Sequence, residues 1–223
     1  MTYTTMWAYP WDILDDGVGD VTRRMRDDIG LDAVSVATSY HSVEHLRPHT
    51  KGARLFSTMD GGIYFQPDAD LWRDVSLKPN VAPMAEPRNP LAEICAAASS
   101  AGLKVESWTV CLHNSRLGRE NPTACEQNAF GDVYHPHLCP SNPRVREYIT
   151  TLCRDLATNY DLYAVELESL AFGGYGHFHG HAKVGLEIGA IGRFLMSLCF
   201  CDSCRDIGAA ANVDMGALAD VTR

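Results

Sequence analysis

The sequence predicts an α/β fold of the (β/α)-barrel type, with only about the first four to five strand–helix units present, so a half or truncated barrel. Three observations predict it. Runs of strand length alternate with segments of helical period along the chain, the pattern of βαβ units on a parallel sheet. No G-x-G-x-x-G follows the first strand, which removes the best marker of a doubly wound dinucleotide fold. Each strand leads instead into a long polar loop rich in His, Trp, Tyr, Asn and carboxylates, which is where a barrel keeps its active site.

The elements follow in order. Thr5 to Ile13 reads as a strand entering a loop. Asp20 is placed to cap a helix whose apolar positions Val21, Met25 and Ile29 fall at helical spacing, and Gly30 ends it. Asp32 to Ser39 is the second strand. Asn89-Pro90 combines a cap with Pro at the first helical position, so a helix carries Leu91, Ile94, Cys95 and Ala98 and stops at Gly102. Lys104 to Leu112 is the third strand. Asn142-Pro143 repeats the start signal, and Val145, Tyr148, Ile149, Leu152 and Leu156 form an amphipathic stripe. Leu162 to Phe172 is the fourth strand, and a last helix holds Ile188, Ile191, Phe194, Leu195 and Leu198.

Residues 1–223 are expected to form a single barrel-type domain with two departures from the alternation. Within 53–88, Arg54 to Thr58 and Ile63 to Gln66 flank Met59-Asp60-Gly61-Gly62 and suggest a hairpin, and five prolines from Pro67 to Pro90 suggest an extended excursion. Residues 173–204 form an inserted His- and Cys-rich loop region. A complete barrel takes about 250 residues, and four units already consume these 223, ending in a helical stretch from Ala217 to Arg223. The expectation is a truncated chain, a fragment, or a half that pairs with another chain as a homo-oligomer or with a partner. A compact four- or five-stranded α/β domain is the plainer arrangement.

Composition narrows the partners. The formal net charge of -9 repels phosphate backbones, so no nucleic-acid binding is expected. No apolar run approaches the roughly 18 residues of a membrane span. Met1 to Trp11 lacks a basic segment followed by an apolar one, so no signal peptide is read and the expected compartment is the cytoplasm.

In that compartment eight cysteines do not imply disulfides. Cys95, Cys111, Cys125, Cys139 and Cys153 are scattered, as small buried hydrophobes are. Cys199, Cys201 and Cys204 form C-x-C-x-x-C, a spacing that wraps one soft cation. Zinc takes four ligands, and Cys139, just before a helix, is the candidate fourth; a closed four-thiolate site is structural. The bland reading is a run of buried free cysteines at a helix start.

The stretch Cys139-Pro140-Ser141-Asn142-Pro143-Arg144-Val145-Arg146, then a helix, a carboxylate-bearing strand and Cys199-x-Cys201-x-x-Cys204, resembles the zinc-containing β-galactosidases of glycoside hydrolase family 42. The likeness runs from Leu138 to Cys204; the first third of the chain matches only as a general barrel. The resemblance implies a (β/α) barrel, retaining hydrolysis of β-galactosides, and zinc held by Cys139, Cys199, Cys201 and Cys204. The family ends its fourth strand with Asp-Asn-Glu, the Glu being the acid/base. Here the same place reads Glu168-Ser169-Leu170, and the insert from Gly173 to Lys183 is longer. The chain therefore resembles a glycosidase relative in the same superfamily rather than a β-galactosidase.

Glu166 and Glu168 lie two apart on a strand and so share a face, expected to be the barrel interior. Paired buried carboxylates repel, which raises one pKa and supplies a general acid; alternatively each pairs with an Arg or Lys. Glu168, nearer the C-terminal end, is the first choice for acid/base, with Glu166 beside it. A retaining glycosidase needs a second carboxylate from a late strand, which this chain does not contain. Tyr40, His41, Trp108, His113, Asn114 and His177 are candidate substrate-binding residues, and Trp7, Trp11 and Trp108 offer flat faces for sugar stacking. Ordinary packing is the alternative for each. His177, His179 and His181 alternate, a pattern open to a metal, a sugar or a solvated loop.

The first expectation is a glycosidase, a hydrolase of carbohydrate with structural zinc. The second is a metal-dependent barrel isomerase or lyase using His177, His179, His181 and Glu168. The third is a non-catalytic carbohydrate-binding or assembly half-barrel.

Overall fold

The computed structural model describes residues 2–48, 50, 52–176, 185 and 187–223. In chain order the elements are β1 (Thr5–Ala8), α1 (Pro10–Asp15), α2 (Val18–Arg23), β2 (Ala33–Tyr40), β3 (Glu44–Leu46), β4 (Leu55–Ser57), β5 (Gly62–Ile63), β6 (Asn80–Val81), α3 (Pro90–Ala101), β7 (Lys104–Val110), α4 (Ser115–Glu120), β8 (Cys125–Gln127), β9 (Val133–Leu138), α5 (Pro143–Asn159), β10 (Ala164–Glu168), α6 (Gly189–Ser197), α7 (Asp202–Ala210) and α8 (Met215–Thr222). They fall into two compact units. The first comprises Met1–Cys111 and Ile149–Glu168, the second Leu112–Tyr148 and Ser169–Arg223.

The first unit is a mixed α/β layer built on a parallel sheet. β1, β2, β7 and β10 lie side by side in that order, every neighbouring pair parallel. Strands that follow one another in space as in sequence are the mark of single winding; a doubly wound sheet reverses direction at its first strand. β1 and β5 share one edge of β2. β1 takes Ala33 to Val36, and β5 runs antiparallel to Ser39 and Tyr40.

Both faces of β2 are buried along its whole length, as its Val- and Ala-rich sequence requires of a central parallel strand. On the helix-facing side the hydroxyls of Thr38, Ser107 and Thr109 bond one another at 2.7 to 3.0 Å, so the polar atoms there are satisfied. α3 packs on β7. Its start and stop are those the sequence encodes: the Asn89 side chain accepts from the Ala92 N–H at 3.3 Å, Pro90 opens the helix, and Gly102 closes it at φ 68. Leu91, Ile94, Cys95 and Ala98 are all buried, each large apolar side chain contributing about 1.5–3 kcal/mol. The fully buried Asp155 of α5 accepts from the Asp68 N–H and the Trp72 indole, tying the proline-rich excursion to that helix.

Four expectations are corrected. The first strand stops at Ala8, because Pro10 opens α1 instead of prolonging an extended loop. α2 begins at Val18, not after Asp20; Gly17 takes φ 91 at its cap, and Asp20 sits in the first turn beside Arg23. The hairpin between Arg54–Thr58 and Ile63–Gln66 is replaced by two separate pairings. β4 joins β3, and β5 joins β2, since Gly62 and Ile63 bury fully at the end of the central strand while β4 stays at the surface. The fourth strand ends at Glu168, because Ser169 turns into left-handed backbone at φ 55.

The second unit holds the antiparallel pair β8–β9 with α4 packed on β9, together with α6, α7 and α8. In α6, Ile191 and Phe194 are 78% and 64% exposed, so the apolar stripe read there is uncovered among the described residues. No described helix is long and apolar enough to cross a membrane.

Candidate active site and metal centre

In the first unit, strand register builds one face of the sheet. Trp7 pairs with Ser35, Ser35 with Glu106, Ala37 with Trp108, Trp108 with Glu166, and Val110 with Glu168. Alternation puts all of these on the same side. Three carboxylates climb that face in successive layers. Glu106 accepts from the Tyr3 hydroxyl at 2.7 Å and the Thr5 hydroxyl at 2.9 Å. Glu166 accepts from the Trp7 indole N–H at 3.0 Å and from the Ser35 hydroxyl. Glu168 accepts from the Trp108 indole N–H. Glu166 and Glu168 are half-buried, and their hydrogen bonds among the described residues come from indole and hydroxyl groups.

Trp7 lies three strands from Glu166. On a flat sheet that is roughly 14 Å. The direct hydrogen bond requires the face to be concave, as a barrel interior is.

Aromatic rings close the top of this face. The Trp7 and Trp108 rings stack with centroids 5.5 Å apart. Tyr9 touches Trp108 at 5.4 Å and Tyr40 at 5.2 Å, and its hydroxyl donates to the Tyr40 hydroxyl at 3.1 Å. Burial, the Tyr9 hydrogen bond and the Glu168 carboxylate together raise the Tyr40 hydroxyl above its ordinary pKa, so it remains a neutral donor. Tyr40 reaches this face only because β2 bulges against β7 between Ala37 and Ser39, which shifts the alternation by one residue.

The candidate residues Tyr40, Trp108, Glu166 and Glu168 are thus brought together, and Trp7, 64% exposed, offers a free ring face. His41 stacks on Tyr40 at 4.4 Å with Nδ1 2.8 Å from the Ser42 carbonyl oxygen. Trp11 is 2% exposed, between Tyr9 at 4.4 Å and Tyr64 at 5.3 Å, so it packs and offers no face. Tyr9 and Glu106 belong to this face and were not singled out from the sequence.

His113 and Asn114 belong to the second unit. Asn114 caps α4, its side-chain oxygen accepting from the Leu117 N–H at 2.9 Å. His113 forms an antiparallel bridge with His137. His177, His179 and His181 lie outside the described residues.

The second unit also gathers Cys139, Cys199, Cys201 and Cys204, whose sulfurs all lie within 4.8 Å of one another. Cys139 Sγ is 3.5 Å from Cys201, 3.5 Å from Cys204 and 3.9 Å from Cys199. A tetrahedral ion with metal–sulfur bonds of about 2.3 Å needs sulfur–sulfur edges of about 3.8 Å. The four donors therefore fit one metal ion. Local structure explains the gathering. Cys139 follows β9 and its N–H bonds the Ala124 carbonyl at 2.8 Å; Cys201 caps α7, and Cys204 lies in the first turn. The Gln127 N–H points at Cys199 Sγ at 3.5 Å, and the Phe200 N–H bonds the Gln127 carbonyl at 2.6 Å. A helix N-terminus favours thiolate. Hydrogen bonds from Cys139 and Cys199 lower the Cys201 thiol to about 7 and also pull Cys204 down, while the Cys139 contact pushes Cys199 up. Sulfurs this close cannot all ionise without a cation between them.

The remaining cysteines are free thiols; Cys95, Cys111 and Cys125 are buried, and desolvation pushes Cys111 and Cys125 up to about 12. Beside the sulfurs, the buried Glu126 accepts from the Gly173 N–H at 2.7 Å and the Gly174 N–H at 3.0 Å. Burial raises its pKa against those two bonds.

No protein-family model matches the sequence, and no curated protein does. Among solved structures the chain is similar to α-L-fucosidase isoenzyme 2 from Paenibacillus thiaminolyticus, at 14% identity and a TM-score of 0.58, over 100% of this chain and 28% of that one. It is also similar to a hypothetical protein from Ruminiclostridium thermocellum, at 11% identity and a TM-score of 0.51, over 73% of this chain and 75% of that one. At these identities the likeness concerns the fold. The chain spans little more than a quarter of the fucosidase's length.

Proposed function

We propose that this protein is a glycoside-hydrolase-like enzyme acting on a carbohydrate, a relative of the family 42 superfamily, with a structural zinc ion in its four-cysteine centre. One observation carries the reading. Glu166 and Glu168 stand on one concave face of a parallel sheet, at the C-terminal end of β10, each hydrogen-bonded to the indole N–H of a tryptophan that lies on the same face. Carboxylates supply the acid/base chemistry of glycoside cleavage, and tryptophan faces stack on sugar rings.

In this reading Glu168 is the acid/base. Glu166, held by Trp7 and Ser35, stabilises positive charge that develops on the sugar ring. Tyr40 and His41 position hydroxyl groups, and Trp7 and Trp108 carry the apolar face of the ring. The four parallel strands form part of a larger barrel, whose remaining strands come from a second copy, a partner chain or further residues. Zinc orders the second unit, and the protein works in the cytoplasm. Its likeness to an α-L-fucosidase supports the fold on which such chemistry runs.

The test is turnover of a panel of aryl glycosides by the purified protein in its native assembly state, compared with Glu168→Gln. The expected result is hydrolysis of at least one glycoside, reduced about 10²–10⁴-fold in the variant. Equal rates in the two proteins would remove Glu168 from the chemistry. Sugar binding without turnover would favour the second reading, a non-catalytic carbohydrate-binding half-barrel, to which the 64% exposed ring of Trp7 also points.

A further inference from the structure

We propose that His113 and His137 form a second metal site, for a divalent transition-metal ion of the zinc, cobalt or nickel kind, at the wall of a cavity in the second unit. The inference is independent of the glycosidase reading, which rests on the first unit.

The two histidines are paired in an isolated antiparallel bridge, which turns their side chains to the same side. Both are 5% exposed, and their ring centroids are 5.6 Å apart with planes inclined at 39°. Two imidazoles bound to one tetrahedral ion, with metal–nitrogen bonds of about 2.0–2.1 Å, place their centroids about 5.2 Å apart. The observed spacing is within a few tenths of an ångström of that figure. Imidazole binds a metal through a ring nitrogen that carries no proton. Imidazole donors select zinc, copper, nickel and cobalt over calcium or magnesium.

The surroundings hold the pair in place. Gly173 lies against His137 so closely that a Cβ there would stand 2.2 Å from its Nδ1. The Glu126 carboxylate fixes that glycine and its neighbour by their N–H groups. Beside the rings lies a cavity of about 330 Å³, bordered also by Ser169 and Phe172. It leaves room for water or a small ligand to complete the coordination, which is what separates a reactive site from a closed structural one.

The experiment is titration of the full chain, its four-cysteine centre already saturated with zinc, with nickel(II) by calorimetry, with metal content measured in parallel. One further equivalent is expected. His113→Gln and His137→Gln should each weaken it at least about 10-fold, the smallest loss seen even when only an outer-shell partner of a metal ligand is removed. Retained zinc and an unchanged melting temperature show that each variant is folded. No second equivalent overturns the proposal. A second equivalent that survives in both variants also overturns it. If that equivalent vanishes when His177, His179 and His181 are all changed to alanine, it was an adventitious ion on those three side chains only.

Discussion

Trp7 on β1 donates its indole N–H to Glu166 on β10, bridging four adjacent strands at 3.0 Å. This contact joins the two edges of the parallel sheet. It also places a carboxylate against a ring that is largely open to solvent.

Trp7→Phe keeps a ring to stack on Trp108 and removes the donor. Because Trp7 is well exposed, the stability cost should be about 1 kcal/mol, below the usual range for a bond to a charged group. Urea unfolding measures it, and the bound-sugar affinity should fall more than the stability. An unchanged affinity would mean that the Glu166 orientation is set without Trp7.

Cys204→Ser removes one sulfur from the four-cysteine centre. The second unit should lose its metal and its cooperative melting, while the first unit keeps its own. Metal analysis with hydrogen exchange distinguishes the two units. Affinity should also fall as pH falls, because protons compete for the sulfurs. Loss of protection in the first unit to the same extent would contradict this.

Glu126 gives a pH signature. Its folded pKa lies above the ordinary 4.5, so the folded protein binds a proton that the unfolded chain has lost. Its contribution to stability is therefore greatest below 4.5 and declines as pH rises through the folded value. Glu126→Gln lacks this decline and loses one of the two glycine bonds. The stability difference between wild type and variant, followed from pH 4 to 8, should narrow as pH rises. A constant difference would show that the carboxyl group is not perturbed.

Gly173→Ala sets a methyl group against the His137 ring. Either the loop or the ring must move, at a cost of about 1–3 kcal/mol. The melting temperature should drop, and the nickel equivalent should weaken with it. A neutral substitution would mean that the loop is free to shift.

The parts legible in the sequence are those with local or periodic causes. Asn89-Pro90 and Asn142-Pro143 announced their helices because caps act over three or four residues. Glu166 and Glu168 were assigned to one face by strand alternation alone, and the cysteines by their spacing. Glu106 carries no local signal, because its partners, Tyr3 and Thr5, stand about a hundred residues away. The bulge that turns Tyr40 inward has no signature within β2 itself. β8 is three residues long and β9 contains Pro136, so neither reads as a strand. Asn114 reads from the sequence as a ligand-facing group at a strand end, whereas its side chain is the start signal of α4.

Two neighbouring residues of β8 hold the two ends of one long excursion. Glu126 grips Gly174, and Gln127 grips Phe200. Whatever chain runs between those grips is closed at its base before its length matters. Each doubling of such a loop costs only about 0.6 kcal/mol in closure entropy. Related proteins should therefore differ in length here more than anywhere else in the second unit, and this is where a reporter peptide could be spliced in with both clamps intact.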